Sequence, residues 1–157
     1  DPKVANIAGA SAVYIEEMLI AYRDGERPGV KYTPEGGEES DMGAVAKDLS
    51  DDDIKALAEH YAGKSYKPIP QEADAGKAKK GAKVFDKSCE KCHAEQGTDP
   101  EDDAGILLGQ GRDYLQGQFD MYDDGSRKMT KKMKKKWKKL DDDDKAAILE
   151  FLVSGGK

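Results

Sequence analysis

The sequence is poor in the residues that hold metals or cross-link small scaffolds. Its 157 residues include only two cysteines, two histidines and one tryptophan. Both cysteines and one histidine fall within a single stretch, KSCEKCHAEQG, at residues 87–97. Any thiol chemistry of this protein is therefore confined to that stretch.

Long apolar runs are also missing. No segment approaches the roughly 20 apolar residues that a membrane-spanning helix requires, and no secretory signal peptide is recognisable. Charged residues make up 37% of the chain, and the mean hydropathy is −0.84. The composition predicts a soluble, strongly hydrated protein, and it does not choose between an intracellular chain and one processed for export.

Basic residues are too few and too unevenly placed for a general nucleic-acid binder. Residues 1–74 carry 16 acidic and 8 basic side chains, a net charge of −8, whereas residues 75–157 carry 16 acidic and 18 basic, a net charge of +2. Nucleic-acid binding needs a broad basic surface. The observed distribution fits a polar surface that docks another protein, or charge that only keeps the protein soluble.

The chain contains an internal repeat, which is its main organising feature. IAGASAVYIEEMLIAYRDGER at residues 7–27 aligns with LLGQGRDYLQGQFDMYDDGSR at residues 107–127, an offset of 100. A second block aligns at an offset of 91 and pairs Met42 with Met133. The offset falls because the first copy has the longer loop, PGVKYTPEGGEESD. We call the two halves copy one and copy two.

Each copy is predicted to fold as helix, loop and helix. Apolar side chains between Val13 and Tyr22 recur at spacings of three and four, which indicates an amphipathic helix. The last helix of each copy opens with a capping signature at Ser50 and Asp141, where acidic side chains crowd the positive end of the helix dipole. Copy two has an additional front segment, residues 76–100, whose start also has helical spacing. Since no β pattern stands out, the sequence predicts an all-α protein.

Cys89, Cys92 and His93 form the Cys-x-x-Cys-His pattern of c-type haem attachment. Two thiols two residues apart on a bent backbone can reach both vinyl groups of one porphyrin, and the imidazole that follows can then ligate the iron. A redox dithiol usually follows a β-strand, and no strand is predicted before Cys89. Zinc normally takes four ligands, and His60 is the only other strong nitrogen candidate. Haem attachment is the preferred interpretation, with the dithiol and the zinc site as alternatives.

A low-spin electron-transfer haem needs a second axial ligand, and methionine sulfur favours Fe(II). Met121, Met129 and Met133 follow the motif in sequence. Only Met133 is paired by the repeat with a methionine of copy one. We therefore predict that His93 and Met133 ligate the iron, with Met129 as the alternative to Met133. Met121 lies in a helical stripe and is expected in the core.

These features resemble the dihaem class I c-type cytochromes, and most of all the cytochrome subunits of flavocytochrome c sulfide dehydrogenases. The resemblance covers nearly the whole chain. In copy two it rests on GAKVFDKSCEKCH, LLGQGRDYLQGQFDMYDDGSRKMTKKM and LDDDDKAAILEFL, and in copy one on IAGASAVYIEEMLIAYRDGERPG, Met42 and LSDDDIKALAEHYAG.

The resemblance implies a periplasmic protein with two cytochrome c folds joined by a linker. It also implies covalent haem c on this chain, FAD on a partner subunit that oxidises sulfide, and a downstream acceptor such as a soluble cytochrome. The chain would then be the electron-transfer subunit of an oxidoreductase and not its catalytic subunit. The alternative function is a free soluble shuttle that feeds a terminal oxidase.

Copy one departs from the family pattern because it has no Cys-x-x-Cys-His motif. We expect a vestigial, haem-free cytochrome c-like domain at residues 1–68, a linker at 69–75 and a class I cytochrome c domain with one covalent haem at 76–157. The alternative is the loss of an upstream segment with a second motif. Copy one lacks the first helix of its fold, so we expect an apolar face that copy two or a partner must cover.

The stretch KKMKKKWKK, at residues 131–139, surrounds Met133 with positive charge. Such charge beside a haem edge guides an acidic redox partner, or the lysine stems merely cover apolar surface. Trp137 is expected to pack and not to conduct electrons. His60 is expected to interact with the C-terminal end of its own helix.

Overall fold

The computed structural model describes residues 3–99 and 104–156, and the end of the predicted front segment of copy two, at residue 100, lies outside them. Within the described residues the chain forms eight helices, and its one β feature is an isolated bridge between Tyr32 and Ser40. The helices are α1 (Ala12–Arg23), α2 (Met42–Ala46), α3 (Asp51–Ala62), α4 (Ala75–Ser88), α5 (Ala94–Gly97), α6 (Arg112–Asp123), α7 (Lys131–Trp137) and α8 (Asp142–Ser154). The predicted all-α class is confirmed. None of these helices has the length and apolar character that a bilayer crossing needs.

The two copies repeat each other in structure as well as in sequence. α1 and α6 begin 100 residues apart, and α3 and α8 begin 91 residues apart. The N–H of Gly9 donates to the carbonyl of Tyr61 at 2.9 Å, and the N–H of Gly109 donates to that of Leu152 at 2.7 Å. Both glycines have positive φ, 74° and 83°, a conformation that favours glycine. The repeat therefore preserves backbone geometry and not only residue type.

The predicted helix starts are confirmed by their caps. The Ser50 side chain accepts a hydrogen bond from the Asp53 N–H, and the Asp53 carboxylate accepts one from the Ser50 N–H, which completes a capping box. At α8, the Asp141 side chain accepts a bond from the Asp144 N–H at 2.7 Å. These bonds satisfy donors that a helix start would otherwise leave unpaired.

The core of copy two forms where α4 crosses α8. The backbones approach so closely that a Cβ at Gly81 would lie 1.9 Å from the Ala147 carbonyl oxygen. Next to this crossing, the rings of Phe85 and Phe151 pack with centroids 5.4 Å apart. The buried members of this core, which we call the copy-two core, are Phe85, Leu108, Leu115, Phe119, Trp137, Ile148, Leu149, Phe151, Leu152 and Val153.

Among the described residues, copy one has no counterpart of α4. The α3 positions that correspond to Ala147 and Phe151 are Ala56 and His60, and both are exposed. Residues whose equivalents are buried in copy two thus face outward in copy one. The large apolar side chains that are exposed in the described structure all belong to copy one: Val4, Val13, Ile20, Val30, Val45 and Tyr61.

Backbone and side-chain hydrogen bonds join residues 69–71 and copy one to the segment that leads into α6. The Ile69 N–H donates to the Gly109 carbonyl at 2.8 Å. Gln71 donates from Nε2 to the Gln110 carbonyl at 2.7 Å, and its Oε1 accepts from the N–H of Arg112 at 3.0 Å. The Gln110 side chain, which is buried, exchanges two hydrogen bonds with the backbone of Asn6, at 2.8 and 2.7 Å. The buried amide of Gln110, with both bonds to Asn6 made, favours one arrangement of the two copies.

A bidentate ion pair joins α6 to α8. The two Arg112 Nη atoms lie 2.5 and 2.9 Å from the carboxylate oxygens of Glu150, which also accepts from the Asp74 N–H at 2.8 Å. The hydrogen bonds from Arg112 hold the pKa of Glu150 below its usual value. Because the folded-state pKa is lowered, the stabilisation is complete above the unfolded pKa, near 4.3, and is lost as the pH falls through the folded pKa.

We expect Glu150→Gln to lower the free energy of unfolding at pH 7 by about 1–2 kcal/mol. The variant should also lose less stability than the native protein when the pH falls from 5 to 3. Urea denaturation across this pH range measures both effects. Glu72→Gln, at an exposed position of the linker, serves as the isosteric control, and equal acid sensitivity of the Glu150 variant and the native protein would contradict the assignment.

Candidate functional site

The Cys-x-x-Cys-His motif forms a compact turn at the end of α4. Cys89 caps that helix, and its N–H donates to the Phe85 carbonyl at 2.7 Å. The N–H groups of Cys92 and His93 both donate to the Cys89 carbonyl, at 2.9 and 3.0 Å. The backbone therefore bends on itself and holds two thiols and an imidazole within one turn.

A strained segment follows the motif. Glu95 and Gln96 have φ values of 51° and 61°, so α5 is a left-handed turn and not a regular helix. The Glu90 carboxylate accepts from the Gln96 N–H at 3.1 and 3.2 Å, and the Gly97 N–H donates to the His93 carbonyl at 3.0 Å. Left-handed non-glycine residues cost on the order of 1–3 kcal/mol each and cluster at functional sites. This turn was not predicted from the sequence, in which Gly97 is the one local signal for it.

The two thiols differ in environment. Cys89 is half-buried and packs against the copy-two core, Cys92 is exposed, and no disulfide joins them. Burial raises the pKa of the Cys89 thiol to about 11, against the opposing effect of the Lys136 charge. The reactive thiol of a redox dithiol has a lowered pKa, and the shift at Cys89 is in the opposite direction. The His93 ring is half-buried, with its centroid 6.3 Å from that of Phe85.

The candidate methionine ligands lie at the start of α7. Met129 is partly buried and packs against the copy-two core, which Cys89 also contacts. Met133 is half-buried in the first turn of α7, where its N–H donates to Oγ1 of Thr130 at 3.2 Å. Lys136 of the same helix is close enough to act on the Cys89 thiol. Met121 is half-buried on α6 and not enclosed in the core as expected.

α7 turns its aromatic residue inward and its lysines outward. Trp137 is 8% exposed, donates from Nε1 to Asp123 at 2.7 Å and meets the Phe119 ring edge-on at 4.9 Å. The expectation that Trp137 packs is therefore confirmed. The lysines of α7 and of the turn after it are exposed, and none of them pairs with a described carboxylate: Lys131, Lys132, Lys134, Lys135, Lys136, Lys138 and Lys139.

The donor set fits covalent haem. Two thiols at this spacing match the two vinyl groups of a porphyrin, and an imidazole and a thioether are the side-chain groups that fill the two axial positions of low-spin iron. In the described residues no group of three or more His, Cys, Asp or Glu side chains comes together to hold a bare metal ion. His60, the fourth ligand that a zinc site would need, is exposed in the last turn of α3.

A helix that ends in Cys-x-x-Cys-His, a second helix that crosses it, and a methionine-bearing segment between them define a c-type cytochrome. The cytochrome c family model matches residues 78–156, which is half of the chain, and the chain belongs to this family. Membership implies covalently bound haem c and electron transfer as the general function.

Similar proteins share this assignment. Cytochrome c-554(548) of Halomonas halodenitrificans is 40% identical over 60 residues, which are 38% of this chain and 64% of that protein. The match therefore spans just under two thirds of the relative's length. The structure of cytochrome c4 from Acidithiobacillus ferrooxidans has a TM-score of 0.78 at 26% identity and covers 98% of this chain and 91% of its own.

Two further solved structures have the same fold. Cytochrome c4 from Pseudomonas stutzeri gives a TM-score of 0.75 at 25% identity, over 98% of this chain and 85% of its own. Thiosulfate dehydrogenase (TsdBA) from Marichromatium purpuratum gives 0.72 at 22% identity, over 97% of this chain and 33% of that one, which shows the fold alone. The prediction of two cytochrome c-like helical domains is confirmed.

Proposed function

We propose that this chain is the periplasmic, single-haem electron-transfer subunit of a sulfide-oxidising complex. It accepts electrons from an FAD-containing partner subunit and passes them to a downstream acceptor such as a soluble cytochrome. Residues 76–157 carry the haem, residues 69–75 are the linker, and residues 1–68 form a haem-free domain. Bound haem c supplies one-electron exchange between Fe(III) and Fe(II).

The motif turn is the observation that carries the electron-transfer function. Cys89 and Cys92 would hold the haem by thioethers, and His93 and Met133 would ligate its iron. Cys89 packs against the core, so the attachment point is rigid.

The surface of the chain supports a subunit in preference to a free shuttle. A shuttle needs one docking surface, and the exposed lysines of α7 provide it for an acidic partner. Copy one adds exposed apolar side chains, among them Val13, Val30 and Val45, each more than half exposed. Exposed apolar groups mark protein interfaces when they form a patch.

Purification of the native complex tests this proposal. We expect a heterodimer with FAD on the partner and one covalent haem on this chain, counted by intact mass. Sulfide should reduce the haem in the complex but not in the separated chain. An isolated red monomer that no flavoprotein accompanies would instead support the shuttle to a terminal oxidase.

Two methionine variants test the ligation. Met133→Leu should remove the near-infrared Met–Fe(III) absorption band and lower the midpoint potential by on the order of 0.1–0.3 V, because thioether sulfur favours Fe(II) and axial ligands set haem potentials over about 0.8 V. Met129→Leu is the matched variant and should keep both properties. The reverse pattern would assign the iron to Met129.

A further inference from the structure

Arg27 belongs to copy one, but its side chain is buried against copy two. It is 7% exposed. Its Nη2 lies 3.3 Å from the Tyr114 hydroxyl and 3.1 Å from Oε1 of Gln118, both on α6. Its guanidinium also lies over the Tyr22 ring, 4.8 Å from the centroid. An arginine of the haem-free copy thus reaches into the copy that carries the haem motif.

Arg127, the repeat equivalent of Arg27, approaches the same point from the other side. Its guanidinium lies over the Tyr122 ring at 4.7 Å, and its Nη1 donates to Oε1 of Gln118 as well. The backbone N–H of each arginine donates to the carbonyl six residues earlier, at 3.0 Å in both copies. The repeat therefore brings two guanidinium groups onto one amide oxygen.

The described residues give this pair of cations no anionic partner. The groups that face it are Gln118, the Met18 sulfur, which accepts from Arg27 Nη1, and the phenols of Tyr14, Tyr22, Tyr114 and Tyr122. Burial raises the pKa of Tyr114 to about 12 and also raises that of Tyr22 and Tyr122, so these phenols are neutral at pH 7. Nε of Arg27 is buried and has no hydrogen-bond partner among the described residues. A buried cation without an anion is destabilising, because burial removes its hydration and nothing replaces it.

We propose that Arg27 and Arg127 form an oxyanion site at the interface of the two copies. Guanidinium groups bind carboxylates and phosphates through parallel N–H donors, and the unused Nε–H of Arg27 offers one of them. The oxyanion comes either from a propionate of the haem on copy two, which rests on the proposed function, or from a free ion such as phosphate, which does not. Copy one has no haem motif, but through Arg27 it then supplies a positive charge that helps copy two to bind the oxyanion.

Thermal unfolding of the haem-containing protein tests the free-ion source. At constant ionic strength, millimolar phosphate should raise the Tm of the native protein by about 5 °C, and Arg27→Gln and Arg127→Gln should abolish the rise. Arg23→Gln, which removes the arginine at the end of α1 that pairs with Asp51 on the surface, is the control and should keep the rise.

The midpoint potential between pH 5 and 9 tests the propionate source. If the oxyanion is a haem propionate, phosphate should not change the Tm of the native protein. Arg27→Gln should then lower the midpoint potential and make it depend on pH, because a propionate without its cationic partner favours Fe(III) and titrates. Arg27→Lys keeps the charge and should recover part of the native value, and Arg127→Gln gives the same test where Arg27→Gln does not fold. If the Arg27 and Arg127 variants have the same Tm response to phosphate and the same midpoint potential as the native protein, the two arginines do not form an oxyanion site. Haem content, measured by the pyridine haemochrome, separates that failure from a failure of the proposed function.

Discussion

Replacing Cys89 and Cys92 together by serine should abolish covalent haem attachment. A thioether forms when a thiol adds across a vinyl group, and a serine hydroxyl does not make this bond. The two cysteines are the chain's only thiols, they form no disulfide, and they share one turn. The variant therefore loses the attachment without losing a cross-link on which the fold depends.

The measurement is the Soret absorption that remains on the protein after acid–acetone extraction. It should fall to background in the double variant and remain in His60→Ala, the control at the other histidine. Each single variant should keep one thioether and a shifted haemochrome spectrum. Extraction-resistant haem in the double variant would exclude attachment at this turn. If the native protein itself has no extraction-resistant haem, the two cysteines would instead be interpreted as a dithiol.

Gly81→Ala should destabilise the protein by about 3 kcal/mol or more, a large fraction of the 5–15 kcal/mol that holds a typical domain folded. The added Cβ would lie 1.9 Å from the Ala147 carbonyl oxygen and 2.9 Å from Cβ of Phe151. Both contacts belong to the backbone or to the first side-chain atom, so no rotamer change relieves them. α4 and α8 must separate, and this opens the packing of Phe85 against Phe151.

Gly117→Ala is the matched control for this substitution. Gly117 also lies within a helix, α6, and no atom stands within 4 Å of the position of its Cβ. Since alanine favours helix more than glycine does, this variant should be as stable as the native protein or more stable by about 0.5–1 kcal/mol. Urea denaturation of the haem-containing proteins compares the two, and equal stabilities would show that the crossing can relax.

Local signals in the sequence predicted much of the structure. The helix starts at Ser50 and Asp141 follow from side chains that bond to N–H groups three residues away, so the sequence alone fixes them. The helical class follows from apolar spacing, and the haem motif follows from residue identity and spacing within five residues. The assignments of Cys89, Cys92, His93 and Met133 as haem-binding residues remain predictions.

Features that depend on distant residues were not predicted. The left-handed turn at Glu95 and Gln96 is stabilised by Glu90, and its backbone conformation contradicts the local preference of both residues. The arginine cluster joins residues 91 positions apart, Arg27 and Gln118. Its sequence signal is the repeated Asp-Gly-x-Arg, which gives no indication that the two copies face each other.

The sequence by itself determined that this protein is a helical, duplicated chain with a single haem-attachment motif, because periodicity, capping and the motif act over a few residues. Only the tertiary structure decided that α4 crosses α8 at Gly81, that α7 turns Trp137 inward and its lysines outward, and that arginines of both copies meet at Gln118. Those outcomes follow from packing and burial, which minimise exposed apolar area over the whole chain and are not encoded in any single segment.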